Sequence, residues 1–276
     1  MLSWIRISSV AFLFAALVVL PLHAQNSEQL EVGPPPLHRA EPPTPGASPE
    51  ELEKRGDELR ENKNYLDAVD YYQAALKGAP GDALLLNKIG ICQIQLHRLR
   101  ESKKTLERAI RIDRKRPDAY NNLGVIYYSL GVSTHQNGDF AKAVKMYDKA
   151  ITLSNQSASY FNNRGAAYFA TKQYDRASAD YAMALQLDSD IFERTSRSGV
   201  QALLPSPEER ARYEYVVAKL YAKVGDDERS LHYLRKAMED GYKDIKNVYK
   251  DAEFGTLRKD PRFTELMASK TPAIPD

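Results

Sequence analysis

Residues 120–127 read YNNLGVIY and residues 161–168 read FNNRGAAY, nearly one octet written twice, 41 residues apart. The glycine in each is one of a series. Gly56, Gly90 and Gly124 follow one another at 34 residues, Gly165 comes 41 later, and Ala218 holds the same place in a looser fifth copy. Twelve positions past the anchor come Ala68, Ser102, Ala177 and Ser230, then Tyr72, Leu106, Tyr181 and Leu234, then Ala75, Ala109, Ala184 and Ala237. In the third copy Ala143, Tyr147 and Ala150 fall into line once seven extra residues are admitted. A fixed period of this length marks an array of repeated units.

Each unit reads as two short helices, apolar at helical spacing, with a Gly-Asp or Asn-Lys turn between them. The small residue in each helix lets the backbones approach, and the aromatic or leucine one turn on fills the groove left open. A single hairpin cannot bury its apolar face alone, so neighbours must stack. SPEE occurs at 48–51 and at 206–209, which predicts helix starts capped by Ser48 and Ser206, with Glu51 and Glu209 reaching back. The seven additional residues of the third copy, bracketed by Gly131 and Gly138, amount to almost two turns and keep side chains on the same face, as a longer helix or as a protruding loop.

These residues resemble the tetratricopeptide repeat family. LLNKIG (85–90), YNNLG (120–124) and FNNRG (161–165) look like its first helix, and NYLDAVDYYQAALKGAP (64–80) like its turn and second helix. The resemblance covers 49–191 well and 207–242 less closely. The proline that ends the second helix survives only as Pro80, with Arg114, Asn155 and Ser189 at that place in later copies. The implied fold is all-α: a right-handed solenoid of four repeats (49–82, 83–116, 117–157, 158–191), a connector at 192–206 with a short helix, a fifth divergent repeat at 207–242, and a helical cap and tail at 243–276. Phe254, Leu257, Phe263 and Leu266 supply the cap's apolar side.

Ahead of the array, residues 10–20 are an unbroken apolar run behind Arg6, too short for a comfortable bilayer span, and Ala24 offers a cleavage point. Residues 1–24 read as an export signal giving a secreted or periplasmic protein; an uncleaved membrane anchor is the alternative. Residues 25–48 carry six prolines and read as an extended tether.

The composition argues against several functions. A net charge of +2 is too small for wholesale binding to nucleic acid. Cys92 is the sole cysteine, so no internal disulfide forms, and its apolar surroundings (IGICQI) suit a buried structural thiol. The histidines are scattered, His135 reads as a solvated turn residue, and no metal, phosphate-loop or nucleophile motif occurs. The expectation is a non-catalytic protein without cofactor or metal.

In the resembled family the first helices line a concave surface that accepts peptides or partner helices. Carried over, that surface comprises Asn87, Lys88 and Ile91, then Asn121, Asn122, Val125 and Tyr128, then Asn162, Asn163 and Phe169. Asparagine both donates and accepts, as a bound backbone requires; bridging between neighbouring helices is the other reading of Asn122 and Asn163. Relatives that clamp a carboxyl-terminal peptide place Lys and Asn in the first helix, where this chain has Glu53 and Asp57, which would repel a carboxylate. Residues 98–116 hold nine bases and three acids, mostly on a second helix, and could meet a membrane or acidic partner unless merely solvated. The predicted function is an interaction scaffold for an unidentified protein or peptide. The alternatives are an envelope-assembly or secretion component at the membrane, and a cell-wall-processing accessory with hydrolytic activity, which would need a convergent acid pair or metal cluster.

Overall fold

The computed structural model describes residues 42–43, 45–193 and 206–269. The export signal, most of the tether, the short helix expected within 192–206 and the final residues lie outside the described residues. Ten of the described α-helices form five hairpins: α1 (Pro49–Glu61) with α2 (Tyr65–Gly78), α3 (Ala83–Gln95) with α4 (Leu99–Ile112), α5 (Pro117–Thr134) with α6 (Asn137–Leu153), α7 (Ala158–Ala170) with α8 (Tyr174–Leu187), and α9 (Pro207–Val224) with α10 (Asp227–Glu239). Three 3₁₀ turns within 245–259 and α11 (Pro261–Ala268) close the carboxyl-terminal end.

The repeated small residues are where the hairpins close. Ala68, Ala75, Ala109, Ala143, Ala150, Ala177, Ala184, Ala218 and Ala237 are all fully buried. A methyl group on Gly56, Gly90, Gly124 or Gly165 would stand 2.5–2.7 Å from Tyr72, Leu106, Tyr147 or Tyr181 respectively. The side chain opposite each glycine thus occupies the space a Cβ would need. Where the second helix carries serine, the hydroxyl donates to the backbone of the first: Ser102 Oγ to the Gly90 carbonyl at 2.7 Å, Ser230 Oγ to the Ala218 carbonyl at 2.9 Å.

The additional seven residues of the third copy are helical, not a loop. The left-handed residue that closes the first helix is Lys63, His97 or Lys172, each seven past its glycine, whereas His135 is eleven past Gly124. Four extra residues therefore lengthen α5. The other three lengthen α6, which begins six residues before Ala143, while α4 begins three before Ser102. Each share is close to one turn, so the register of the hairpin survives. Phe140 packs edge-on to Tyr128 and against Gly131 to fill the added layer.

Of the two SPEE caps only the first is complete. Glu51 N donates to Ser48 Oγ at 3.2 Å and Ser48 N donates to Glu51 Oε2 at 2.9 Å. At α9 the Glu209 amide donates to Ser206 Oγ at 3.2 Å, but its carboxylate does not reach back and Oε2 is buried without a partner.

The fifth hairpin, read from the sequence as a divergent copy behind a connector, joins the series differently from the first four. Connectors of four residues join α2 to α3, α4 to α5 and α6 to α7, and each such turn reverses the chain. Arg164 on α7 meets Asp148 on α6, and Phe161 lies with Ile151, so α7 runs against α6. At α9 the direction differs. Arg212 near its start lies over Tyr174, the first residue of α8, at 5.0 Å. Tyr213 meets Tyr181 midway at 5.3 Å, and Tyr221 donates to the Ser189 carbonyl just past the end of α8. Helix α9 therefore runs parallel to α8. The stretch between Leu187 and Pro207 is long enough to return the chain along the full length of α8, which a four-residue turn is not. Phe169, Tyr181, Phe192, Tyr213 and Tyr221 form the aromatic seam of this junction. Phe254, Leu257, Phe263 and Leu266 are buried in the same cluster and cover the end of the array.

Candidate partner-binding face of the first helices

The five asparagines of the repeated octet and its α3 counterpart stand together. Asn87, Asn121, Asn122, Asn162 and Asn163 are all buried. Asn163 Nδ2 donates to Asn121 Oδ1 at 3.0 Å, Asn121 Nδ2 donates to Asn122 Oδ1 at 3.3 Å, and Asn122 Nδ2 donates to Asn87 Oδ1 at 3.0 Å. One amide chain thus crosses α7, α5 and α3. It fixes the lateral spacing of three first helices, and its members satisfy one another as buried amides must. Of the two readings of Asn122 and Asn163, these bonds are those of the bridge between helices. Asn162 is buried beside them.

The apolar members of the set are packing residues. Phe169 is fully buried among Tyr174, Tyr181 and Tyr213, so it is a core residue at the junction with the fifth hairpin and not groove surface. Val125 and Tyr128 are buried in the cluster that holds Ala143 and Tyr147. The reason is local: the longer α5–α6 hairpin and the aromatic junction bring additional rings over positions that a uniform array leaves open. An accessible first-helix stripe lies on α3, where Leu84, Lys88, Ile91 and Gln95 recur at helical spacing with partial or full exposure.

Lys88 is anchored. Its Nζ lies 2.7 Å from Glu53 Oε1 and 2.6 Å from Asp57 Oδ2, tying α3 to α1. Burial pushes the Asp57 carboxyl up, but hydrogen bonds from Lys88 and the Tyr72 hydroxyl outweigh it and hold the group below the usual carboxylate range. The acid pair expected to repel a carboxylate is therefore compensated by Lys88. Two counterparts went unread in the sequence: Arg164 on α7 joins Asp148 and Asp180, at 2.7 Å from each, and Tyr160 on α7 donates to Asp118 on α5. The available signal was the offset between partners, 42 residues or about one repeat for Tyr160 and Asp118 and 16 residues or about half a repeat on either side of Arg164.

Cys92 is buried and its thiol is pushed up to about 12, chiefly by desolvation. Among the described residues no three His, Cys, Asp or Glu side chains gather as a metal would need. Acids that converge do so on a cation: Glu53 and Asp57 on Lys88, Asp148 and Asp180 on Arg164, and Asp251 and Glu253 on Lys219.

Comparison with known proteins agrees with this architecture. Residues 81–156 and 136–190 each match the tetratricopeptide repeat family. The crystal structure of TTC0263, a thermophilic tetratricopeptide repeat protein of Thermus thermophilus, superposes with a TM-score of 0.52 at 20% identity, covering 80% of this chain and all of that one. A crystal structure of MamA gives 0.45 at 18% identity, over 67% of this chain and 93% of that one. The inactive repeat-containing thioredoxin TTL3 of Arabidopsis thaliana is 30% identical over 86 residues, and this chain spans only 12% of its length. The class is that of helical-repeat solenoids. Residues 81–190 carry tetratricopeptide repeats, and the described array has the fold of a tetratricopeptide-repeat solenoid, a class whose members typically bind other proteins and typically lack catalysis.

Proposed function

We propose that this chain is a non-catalytic scaffold that takes up a peptide or partner helix on its first-helix face, centred on α3. The observation that carries the reading is the combination of an accessible stripe, Leu84, Lys88, Ile91 and Gln95, with the buried amide chain that holds the neighbouring first helices in register behind it. Apolar side chains interleaved with an amide and an ammonium suit an interface that buries apolar area and orients a backbone. With residues 1–24 read as an export signal, the scaffold works in a secreted or periplasmic setting.

The test compares affinity capture by the wild-type chain and by Ile91→Asp with Gln95→Ala from cells that make the protein. The altered residues are partly or fully exposed, so helicity by circular dichroism stays unchanged. Loss of the wild-type partner supports the reading, and retention of every partner rejects the α3 face.

A further inference from the structure

Charge compensation is uneven over the fold. Lys88, Arg164, Lys219, Arg229, Arg210 and Arg262 each have a carboxylate within 3.0 Å. Cations without one occur singly over much of the described fold, Lys77, Lys223, Lys246 and Lys250 among them, and gather most densely on the second helices α4 and α6. Every carboxylate there, and in the turn between α4 and α5, already serves a cation: Glu101 meets Arg98, Glu107 meets Lys103, Asp113 meets Arg116, Asp139 meets Lys142, and Asp148 meets Arg164. Arg100, Lys104 and Arg111 on α4, Arg114 and Lys115 after it, and Lys145 and Lys149 on α6 are exposed and have no acidic partner among the described residues. Arg100, Lys104 and Arg111 share one helical stripe, and Lys145 and Lys149 another. The two helices are neighbours at one place, because Lys103 of α4 and Lys142 of α6 both lie over the ring of Tyr127, at 5.2 and 5.7 Å from its centre.

We infer that the outer face of α4 and α6 adsorbs to an anionic lipid bilayer, a role separate from the partner face on α3. A protein interface has an apolar centre, and this face has none. Of the large apolar side chains exposed among the described residues, only Ile112 borders it. The apolar sides of both helices are turned into the array, as Ser102, Leu106 and Ala109 on α4 and Ala143, Tyr147 and Ala150 on α6 are buried. No described helix is long and apolar enough to cross a membrane. What remains is a two-dimensional field of uncompensated cations without a pocket, which suits adsorption to headgroups. Clusters of about four to eight such residues bind anionic leaflets, each cation adding to the attraction.

The experiment is co-sedimentation of the full chain with vesicles of phosphatidylcholine alone and with about one quarter phosphatidylglycerol. The expected result is additional binding to the anionic vesicles that disappears at high salt. That additional binding falls by at least about a hundredfold in a chain with Lys104→Ala, Arg111→Ala, Lys145→Ala and Lys149→Ala. A control with Lys77→Ala, Lys223→Ala, Lys246→Ala and Lys250→Ala removes the same charge elsewhere and keeps it. Equal loss in both variants, no preference for anionic vesicles, or capture of polyglutamate by a chain that ignores the vesicles would each overturn the inference.

Discussion

At the scale of single residues, the account turns on positions where one atom decides the packing. A Cβ at Gly124 would stand 2.5 Å from the fully buried ring of Tyr147, whereas at Gly138 it would meet nothing within 4 Å. Gly124→Ala should therefore cost about 1–3 kcal/mol, and Gly138→Ala should be neutral or stabilising by roughly 0.4–1 kcal/mol, both read by chemical denaturation. Asn121 accepts from Asn163 and donates to Asn122, so Asn121→Ala strands two buried amides and should cost on the order of 1–3 kcal/mol. The glycines were legible in the sequence because steric exclusion repeats with the backbone. The amide chain was not, since YNNLG shows where asparagines recur but not whether they face a guest or each other. That depends on the lateral spacing of three helices, which no single helix encodes.

Individual elements carry the pH dependence. Glu214 on α9 is buried, its Oε2 lacks a partner, and Lys236 Nζ is 3.8 Å from its Oε1. Desolvation and then the charge of Asp240 push its carboxyl up to about 7, against the pull of Lys236 and Arg210. The folded chain thus holds a proton that the unfolded chain has released. Stability must fall as pH rises from the unfolded value near 4.5 to about 7, and then level off. Glu214→Gln should remove that decline, worth on the order of 1–3 kcal/mol, from denaturation midpoints measured between pH 5 and 8. An unchanged slope would show that other groups cause it. No sequence signal marked Glu214, because its perturbation arises across the α9–α10 contact. The third hairpin was half legible: the seven-residue excess was countable, but its division between α5 and α6 was not. The left-handed residues that end the first helices of the first four hairpins are lysine and histidine, so no glycine announces those turns. Among the first helices only α9 ends on a glycine, Gly225.

For the whole molecule, four hairpins stack in series and a fifth joins with α9 parallel to α8. The repeat pattern identifies the fifth hairpin, since Ala218, Ser230 and Ala237 sit where their counterparts sit. It does not set the direction of approach, which follows from the length of the connecting stretch and the aromatic seam around Tyr213. The central claim is that such an array presents the α3 stripe to a partner, and site-specific photo-crosslinking in the cells that make the protein tests it most directly. Crosslinkers at Ile91 and Gln95 on the first-helix face, and at Gln73 and Lys77 on the outer helix α2, would be compared. The account predicts one partner captured from Ile91 and Gln95 and none from Gln73 or Lys77; capture from the α2 positions alone, or from none of the four, would contradict it.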